Sequence, residues 1–209
     1  MFPSLYAIVD AALAGDRSLA IADALAAGGA GIIQYRNKHG SARHIFETCC
    51  ELVGILRGRS QFIVNDRADI AALCGADGVH VGQHDLAVED ARGVCGRDCR
   101  VGISTHGLEQ FRAANATSAD YVAVGPIFST ASKENPDPVI GIEFIRQARR
   151  LTTKPIVAIG GITLENAAAV FEAGADSVAV IRDLIAANDP AARAAQFLSL
   201  AERSRISRN

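Results

Sequence analysis

Asn65 and Asp66 stand just past the apolar run Phe62-Ile63-Val64, and Gln83, His84 and Asp85 stand just past Gly78-Val79-His80-Val81-Gly82. If the two runs are neighbouring parallel strands, both carboxylates emerge side by side at one sheet edge. Two carboxylates so placed suit a hard divalent ion such as Mg²⁺, which completes its coordination with water and substrate phosphate oxygens. Taken alone, each aspartate reads equally well as a loop or helix-cap residue. What the other strand ends carry decides between the two.

Apolar runs of four to six residues alternate with longer amphipathic segments along the chain, the pattern of βα units around a parallel sheet. Strands are predicted at Leu5–Val9, Gly31–Arg36, the two runs above, Arg100–Ser104, Tyr121–Gly125, Ile156–Ile159 and Ser177–Ile181. Helices are predicted at Leu19–Ala27, Ala42–Leu56, Ala68–Leu73, Ala87–Gly93, Leu108–Ala114, Ile142–Arg150, Leu164–Glu172 and from Asp183 onward. Eight such units predict a (β/α)₈ barrel over residues 1–209 as one domain. An open doubly wound sheet ranks second, because no G-x-G-x-x-G opens a helix after the first strand. Ala26-Ala-Gly-Gly-Ala30, Cys74-Gly-Ala-Asp77 and Glu172-Ala-Gly-Ala-Asp176 each close a helix just before a strand, and read as turn signals at the bottom of the barrel.

The residues just after each strand form a polar set: Gln34, Arg36 and Lys38; Asn65 and Asp66; Gln83 and Asp85; Ser104; Ser129, Thr130, Ser132 and Lys133; Gly160 and Gly161; and Arg182. Singly, each has an ordinary explanation as a solvated charge, a helix cap or a turn. Together they converge on the rim where barrels of this kind carry their chemistry. The Gly160-Gly161 turn, leading to a helix start at Thr163, predicts a phosphate cup of backbone N–H groups, with Arg182 as a forked donor. Arg36, Lys38, Lys133, Asn65 and an ion on Asp66 and Asp85 are too much positive charge for a second monophosphate and suit a diphosphate. No nucleophile–base pair is apparent: neighbouring residues of Ser104-Thr105-His106 point apart, and His80 reads as barrel-lining. A diphosphate leaving group permits chemistry without an enzyme base.

Composition limits the alternatives. With 49% hydrophobic and 21% charged residues the chain buries a sizeable core and is not disordered. A net charge of −2 without a basic run argues against a nucleic-acid partner. No apolar stretch is long enough for a membrane span, and Met1-Phe-Pro-Ser-Leu-Tyr6 does not read as a signal peptide. The five cysteines (Cys49, Cys50, Cys74, Cys95, Cys99) fit neither a disulfide framework nor a zinc set, and are expected as reduced thiols in a cytoplasmic protein.

With these residues in view, the chain resembles the thiamine phosphate synthase (thiamine-phosphate pyrophosphorylase) family over nearly its whole length. The resemblance rests on Gln34-Tyr-Arg-Asn-Lys38, Val64-Asn-Asp-Arg67, Ala76-Asp-Gly-Val-His-Val-Gly-Gln-His-Asp85, Val101-Gly-Ile-Ser104, Gly125-Pro-Ile-Phe-Ser-Thr-Ala-Ser-Lys133 and Ala158-Ile-Gly-Gly-Ile162. It implies a transferase on a (β/α)₈ barrel that joins a 4-amino-2-methylpyrimidinylmethyl diphosphate to a hydroxyethylthiazole phosphate, with Mg²⁺ as cofactor. It further implies that Asp66 and Asp85 hold the metal. Gln34, Tyr35, Arg36, Asn37, Lys38, Asn65, Ser104 and Lys133 would attend the pyrimidine diphosphate, with Arg36, Lys38, Ser104 and Lys133 closest to the chemistry. Thr130, Ala131, Ser132, Gly161, Ile181 and Arg182 would receive the thiazole phosphate. A homo-oligomer is compatible with the pattern.

Three positions depart from that family: His84 where Glu is frequent, Ser132 where Thr is, and Arg182 where a small Ser is. The related thiazole tautomerase carries His where this chain has Pro126, so Pro126 favours the synthase. A non-catalytic phosphate-binding barrel would have no use for the set Asp66, Asp85, Lys38 and Lys133.

Overall fold

The computed structural model describes residues 1–130 and 137–206. Eight parallel strands close in sequence order: β1 Leu5–Asp10, β2 Ile32–Arg36, β3 Gln61–Asn65, β4 Gly78–Val81, β5 Arg100–Thr105, β6 Tyr121–Val124, β7 Ile156–Ile159 and β8 Ser177–Val180. β1 pairs with both β2 and β8, so no edge remains. The helices outside this ring are α1 Ala11–Ala14, α2 Ser18–Ala27, α3 Ala42–Leu56, α4 Ala68–Cys74, α5 Val88–Cys95, α6 Leu108–Ala116, α7 Gly141–Arg149, α8 Ala167–Glu172, α9 Arg182–Ile185 and α10 Pro190–Ile206. The predicted barrel is the observed one.

The strands read as unbroken apolar runs because both faces are covered. Alternate residues nonetheless go to two different cores. Leu5, Ala7, Val9, Ile33, Tyr35, Val79 and Val101 pack outward beneath the helices. Tyr6, Ile8, Ile32, Ile63, Tyr121, Ala123, Val157 and Ala179 fill the barrel interior. This period of two decides which polar residues reach the mouth.

One inward position is vacant by design of the packing. Gly102 lies beside His80 on β4 and Tyr121 on β6, and a Cβ there would sit 2.0 Å from the Tyr121 ring. The missing side chain makes room for Tyr121 to stack on His80, ring centroids 5.5 Å apart.

The turn signals ending in Asp77 and Asp176 share a mechanism, and Asp120 repeats it. Asp77, Asp120 and Asp176 each precede an even-numbered strand, and each accepts the first free N–H of the strand before it. Asp77 Oδ2 takes Phe62 N–H at 2.7 Å, Asp120 Oδ2 takes Val101 N–H at 2.7 Å, and Asp176 Oδ2 takes Ile156 N–H at 2.8 Å. The aspartates thus satisfy strand donors that burial would otherwise leave unpaired.

Two expectations need correction. The helix predicted from Leu164 starts at Ala167, after a turn in which the Asn166 and Ala167 N–H groups both donate to the Thr163 carbonyl at 3.2 and 3.0 Å. The cysteines are not all reduced: the turn past Gly96 at the end of α5 brings Cys95 and Cys99 to a Cα separation of 5.8 Å, and they form a disulfide. Cys49, Cys50 and Cys74 are free thiols.

Gly102→Ala is expected to destabilise the fold by roughly 1–3 kcal/mol, the scale of overpacking a filled core. Gly93→Ala, in α5 where an added Cβ meets nothing within 4 Å, is expected to gain about 0.5–1 kcal/mol from helix propensity. Urea unfolding of the two variants beside the parent measures both.

Candidate active site

A cavity of about 790 Å³ opens at the C-terminal ends of the strands. The register of β3 on β4 sets Asn65 beside His80, and Asp66 N–H then donates to the His80 carbonyl at 2.8 Å. Asp66 adopts a left-handed backbone, φ 62°, which an aspartate tolerates better than most residues. Asp85 is anchored from the other side, its Oδ2 accepting the Gly82 N–H at 2.8 Å. The two carboxyl groups meet within hydrogen-bonding contact, as the strand ends require if they share a ligand.

That contact is electrostatically costly. Burial first, and then the facing Asp85, push the Asp66 carboxyl above the ordinary aspartate range, while the ion pair with Lys38 pulls the other way. No cluster of three metal-ligating side chains occurs among the described residues. The donor set is therefore two carboxylates, a complement that fits a hard divalent ion whose remaining ligands are water and phosphate oxygens.

Arg36 stands next to this pair. It is inward-facing at the end of β2, opposite Asp10 in the β1–β2 register, and ion-pairs with Asp10. Asp10 is buried and also caps α1 by accepting the Ala12 N–H at 3.1 Å. Asp10 is a site residue that the sequence analysis does not single out; its signal is an apolar run ending on a carboxylate in register with an arginine. Gln83 Nε2 donates to the Ser104 carbonyl at 2.7 Å, tying the loop after β4 to β5.

The cavity floor is hydrogen-bonded. Ser104 Oγ lies 2.8 Å from His80 Nε2, and His80 Nδ1 lies 3.0 Å from the Tyr121 hydroxyl. Burial raises both the Tyr6 and Tyr121 phenols well above their ordinary range, so each keeps its proton. His80 is barrel-lining, as its place in the strand predicts, yet it also touches a site residue.

Across the mouth, Gly160 (φ 101°) and Gly161 (φ 62°) form a left-handed turn. A Cβ on Gly161 would lie 2.3 Å from the Ser129 carbonyl oxygen, so glycine lets this turn nest under the loop after β6. Phe128 N–H donates to the Gly160 carbonyl at 3.0 Å and Ile127 N–H to the Ile159 carbonyl at 2.8 Å. Thr130, Gly161, Ile181 and Arg182 line this side. The helix N-terminus expected at Thr163 is not part of the cup, because the Thr163 and Leu164 amides already have side-chain acceptors.

The structure thus brings together Gln34, Arg36, Lys38, Asn65, Asp66, Asp85, Ser104, Thr130, Gly161, Ile181 and Arg182 around one cavity. It does not bring Tyr35 and Asn37 there. Tyr35 is an outward residue of β2, and Asn37 Nδ2 donates to its hydroxyl at 3.1 Å while Asn37 Oδ1 accepts the Gly40 N–H at 2.8 Å. Both line a separate cavity of about 570 Å³ toward α1 and α3. Ala131, Ser132 and Lys133 lie outside the described residues.

Barrel, oxygen-donor pair and glycine turn define an enzyme that handles phosphorylated small molecules at the C-terminal rim. The family described as "Thiamine monophosphate synthase" matches residues 5–184. A thiamine-phosphate synthase of Koribacter versatilis (strain Ellin345) is 53% identical over 203 residues, covering 95% of each chain. One of Chloroflexus aurantiacus is 44% identical over 198 residues, covering 94% of this chain and 91% of that one. A solved thiamine phosphate pyrophosphorylase from Pyrococcus furiosus superposes with TM-score 0.87 at 32% identity, covering 96% of both chains. The chain belongs to the thiamine-phosphate synthase family of transferases.

A carboxyl whose pKa is raised on folding stabilises the folded chain while protonated, and that contribution is lost as pH climbs through the folded value. Asp66→Asn is therefore expected to melt above the parent at neutral pH by roughly 1–2 °C, the scale of a partly solvated charge in a chain of this size. The difference closes as pH falls below the ordinary aspartate range. Scanning fluorimetry at both pH values reads it; a melting point lowered at neutral pH would show Lys38 outweighing Asp85.

Proposed function

We propose that residues 1–209 act as one catalytic barrel that transfers a 4-amino-2-methylpyrimidinylmethyl group from its diphosphate to the ring nitrogen of a hydroxyethylthiazole phosphate. The products are thiamine phosphate and diphosphate. The observation that carries this reading is the meeting of Asp66 and Asp85 beside Lys38 and Arg36, across one cavity from the Gly160-Gly161 turn and Arg182.

Asp66 and Asp85 are the residues that would hold Mg²⁺, which when bound supplies positive charge to the leaving diphosphate oxygens. Lys38, on a half-exposed side chain beside Asp66, would meet the same diphosphate oxygens. Arg36, held in place by Asp10, presents its remaining N–H donors as a fork. The carbon–oxygen bond to the diphosphate breaks with its electron pair leaving on oxygen, and the ring amino group supplies electrons to the methylene carbon. The thiazole nitrogen lone pair forms the new carbon–nitrogen bond. No proton has to be removed, which is why a floor of neutral groups suffices. Gln34 and Ser104, projecting from that floor, orient the pyrimidine ring. The glycine turn, Thr130, Ile181 and Arg182 hold the thiazole phosphate, so the nucleophile waits on the opposite wall. Lys133 is assigned to the diphosphate on its sequence position.

The supporting experiment mixes the two substrates with and without Mg²⁺ and follows released diphosphate together with thiamine phosphate. Asp66→Ala and Asp85→Ala are each expected to lower kcat by roughly 10²–10³, the cost of removing a preorganised electrostatic contact. Full turnover without a divalent ion, or near-parental rates in both variants, would reject the assignment.

A further inference from the structure

Five side chains from five strands form one hydrogen-bonded chain across the cavity floor. Gln34 Nε2 on β2 donates to the Tyr6 hydroxyl on β1 at 3.0 Å, and the Tyr6 and Tyr121 hydroxyls are 2.9 Å apart. Tyr121 Oη is 3.0 Å from His80 Nδ1, and His80 Nε2 is 2.8 Å from Ser104 Oγ. Gln34, Tyr6, Tyr121 and His80 are all buried.

Such a chain has a direction, because a hydroxyl has one proton to give and an uncharged imidazole has one N–H. Gln34 enters as a donor, and Tyr6 gives its own proton to Tyr121, because the reverse would leave that proton buried with no acceptor among the described residues. The Tyr121 proton is then committed to His80 Nδ1, which has to be the bare nitrogen. His80 Nε2 therefore carries the hydrogen and donates it to Ser104 Oγ. Ser104 still has its own proton, and the chain offers no acceptor for it. The remaining direction is the cavity that Ser104 lines.

We infer that His80 is a positioning residue: held in its Nε2–H tautomer through Tyr121, Tyr6 and Gln34, it makes Ser104 an obligate hydrogen-bond donor toward a lone-pair acceptor on the bound substrate. The identity of that substrate rests on the function proposed above; the polarity of the chain does not. The opposite polarity would send the Ser104 proton to His80 and turn Ser104 into an acceptor, suited to the amino group of a pyrimidine instead of a ring nitrogen or phosphate oxygen. The tautomer of one buried histidine thus decides which edge of the substrate this corner recognises.

Two-bond ¹H–¹⁵N spectra of the parent protein labelled in histidine test this directly, with the His80 signals assigned by their loss in His80→Gln. The expected pattern is a protonated Nε2 and a bare Nδ1. An Nδ1–H tautomer, a doubly protonated ring or a mixture of tautomers overturns the inference without any appeal to turnover. Tyr121→Phe removes the donor to Nδ1 and is expected to abolish the single tautomer and lower kcat/KM about tenfold, the scale of one lost hydrogen bond. In a Ser104→Ala background the same change is expected to cost less than about twofold, since Tyr121 acts through Ser104. Full additivity of the two substitutions would show that Tyr121 is merely packing. Loss of turnover in the parent alongside the expected tautomer would reject the proposed reaction and leave the polarity standing.

Discussion

The site is organised by a repulsion. Asp66 and Asp85 are brought into contact by the ends of adjacent strands, in a partly buried place where a negative charge loses hydration. Left to themselves the two groups would separate or share a proton. They cannot separate, because each is fixed by backbone: Asp66 by its own N–H on the His80 carbonyl, Asp85 by accepting the Gly82 N–H. The strain is local and the barrel sets it. Lys38 offsets part of it, at the end of a long side chain that is itself half exposed.

Barrel closure supplies the rigidity that this repulsion pulls against. With β1 paired to both β2 and β8, a strand end cannot splay without breaking two ladders. The period of two then sorts side chains into those that face the cavity and those that face the helices. Gln34 and Arg36 fall on the first face and Tyr35 on the second, within three consecutive residues. Asp10 and Arg36 extend the same sorting: they share a level of the β1–β2 ladder, so Arg36 at the cavity has its counter-ion one strand away.

Much of this was legible in the sequence, for reasons that also mark where legibility ended. Strand positions and barrel order followed from apolar runs, and the rim residues followed from standing just past them. Tyr35 and Asn37 were assigned to the site because they sit inside a motif; a motif is linear, whereas the pleat sends alternate residues to opposite sides. The turn ahead of α8 is equally hidden in the sequence, since its Leu164 amide is held by Asp183, nineteen positions away. Asp10 and the Tyr6–Tyr121 contact are likewise products of register, with 115 residues separating the two phenols. Cys95 and Cys99 were read as thiols on composition, and only the turn at Gly96 brings them together.

The contrast between rim and floor suits the proposed reaction, which makes charge at both ends. At the rim, Arg36, Lys38 and the carboxylate pair are built around ionic charge, which is what a departing diphosphate carries. On the floor, burial keeps the phenols protonated, and with His80 in the inferred single tautomer the chain presents only dipoles. A cationic floor would oppose the positive charge that grows on the pyrimidine methylene as the bond breaks, and an anionic floor would trap it before the thiazole nitrogen arrives. Neutral, directed hydrogen bonds fix the ring without either penalty. Gly102 is the condition for that arrangement, because only an absent side chain on β5 lets Tyr121 reach both Tyr6 and His80. The chemistry at the mouth thus depends on a vacancy deeper in the barrel, where no charged group is involved at all.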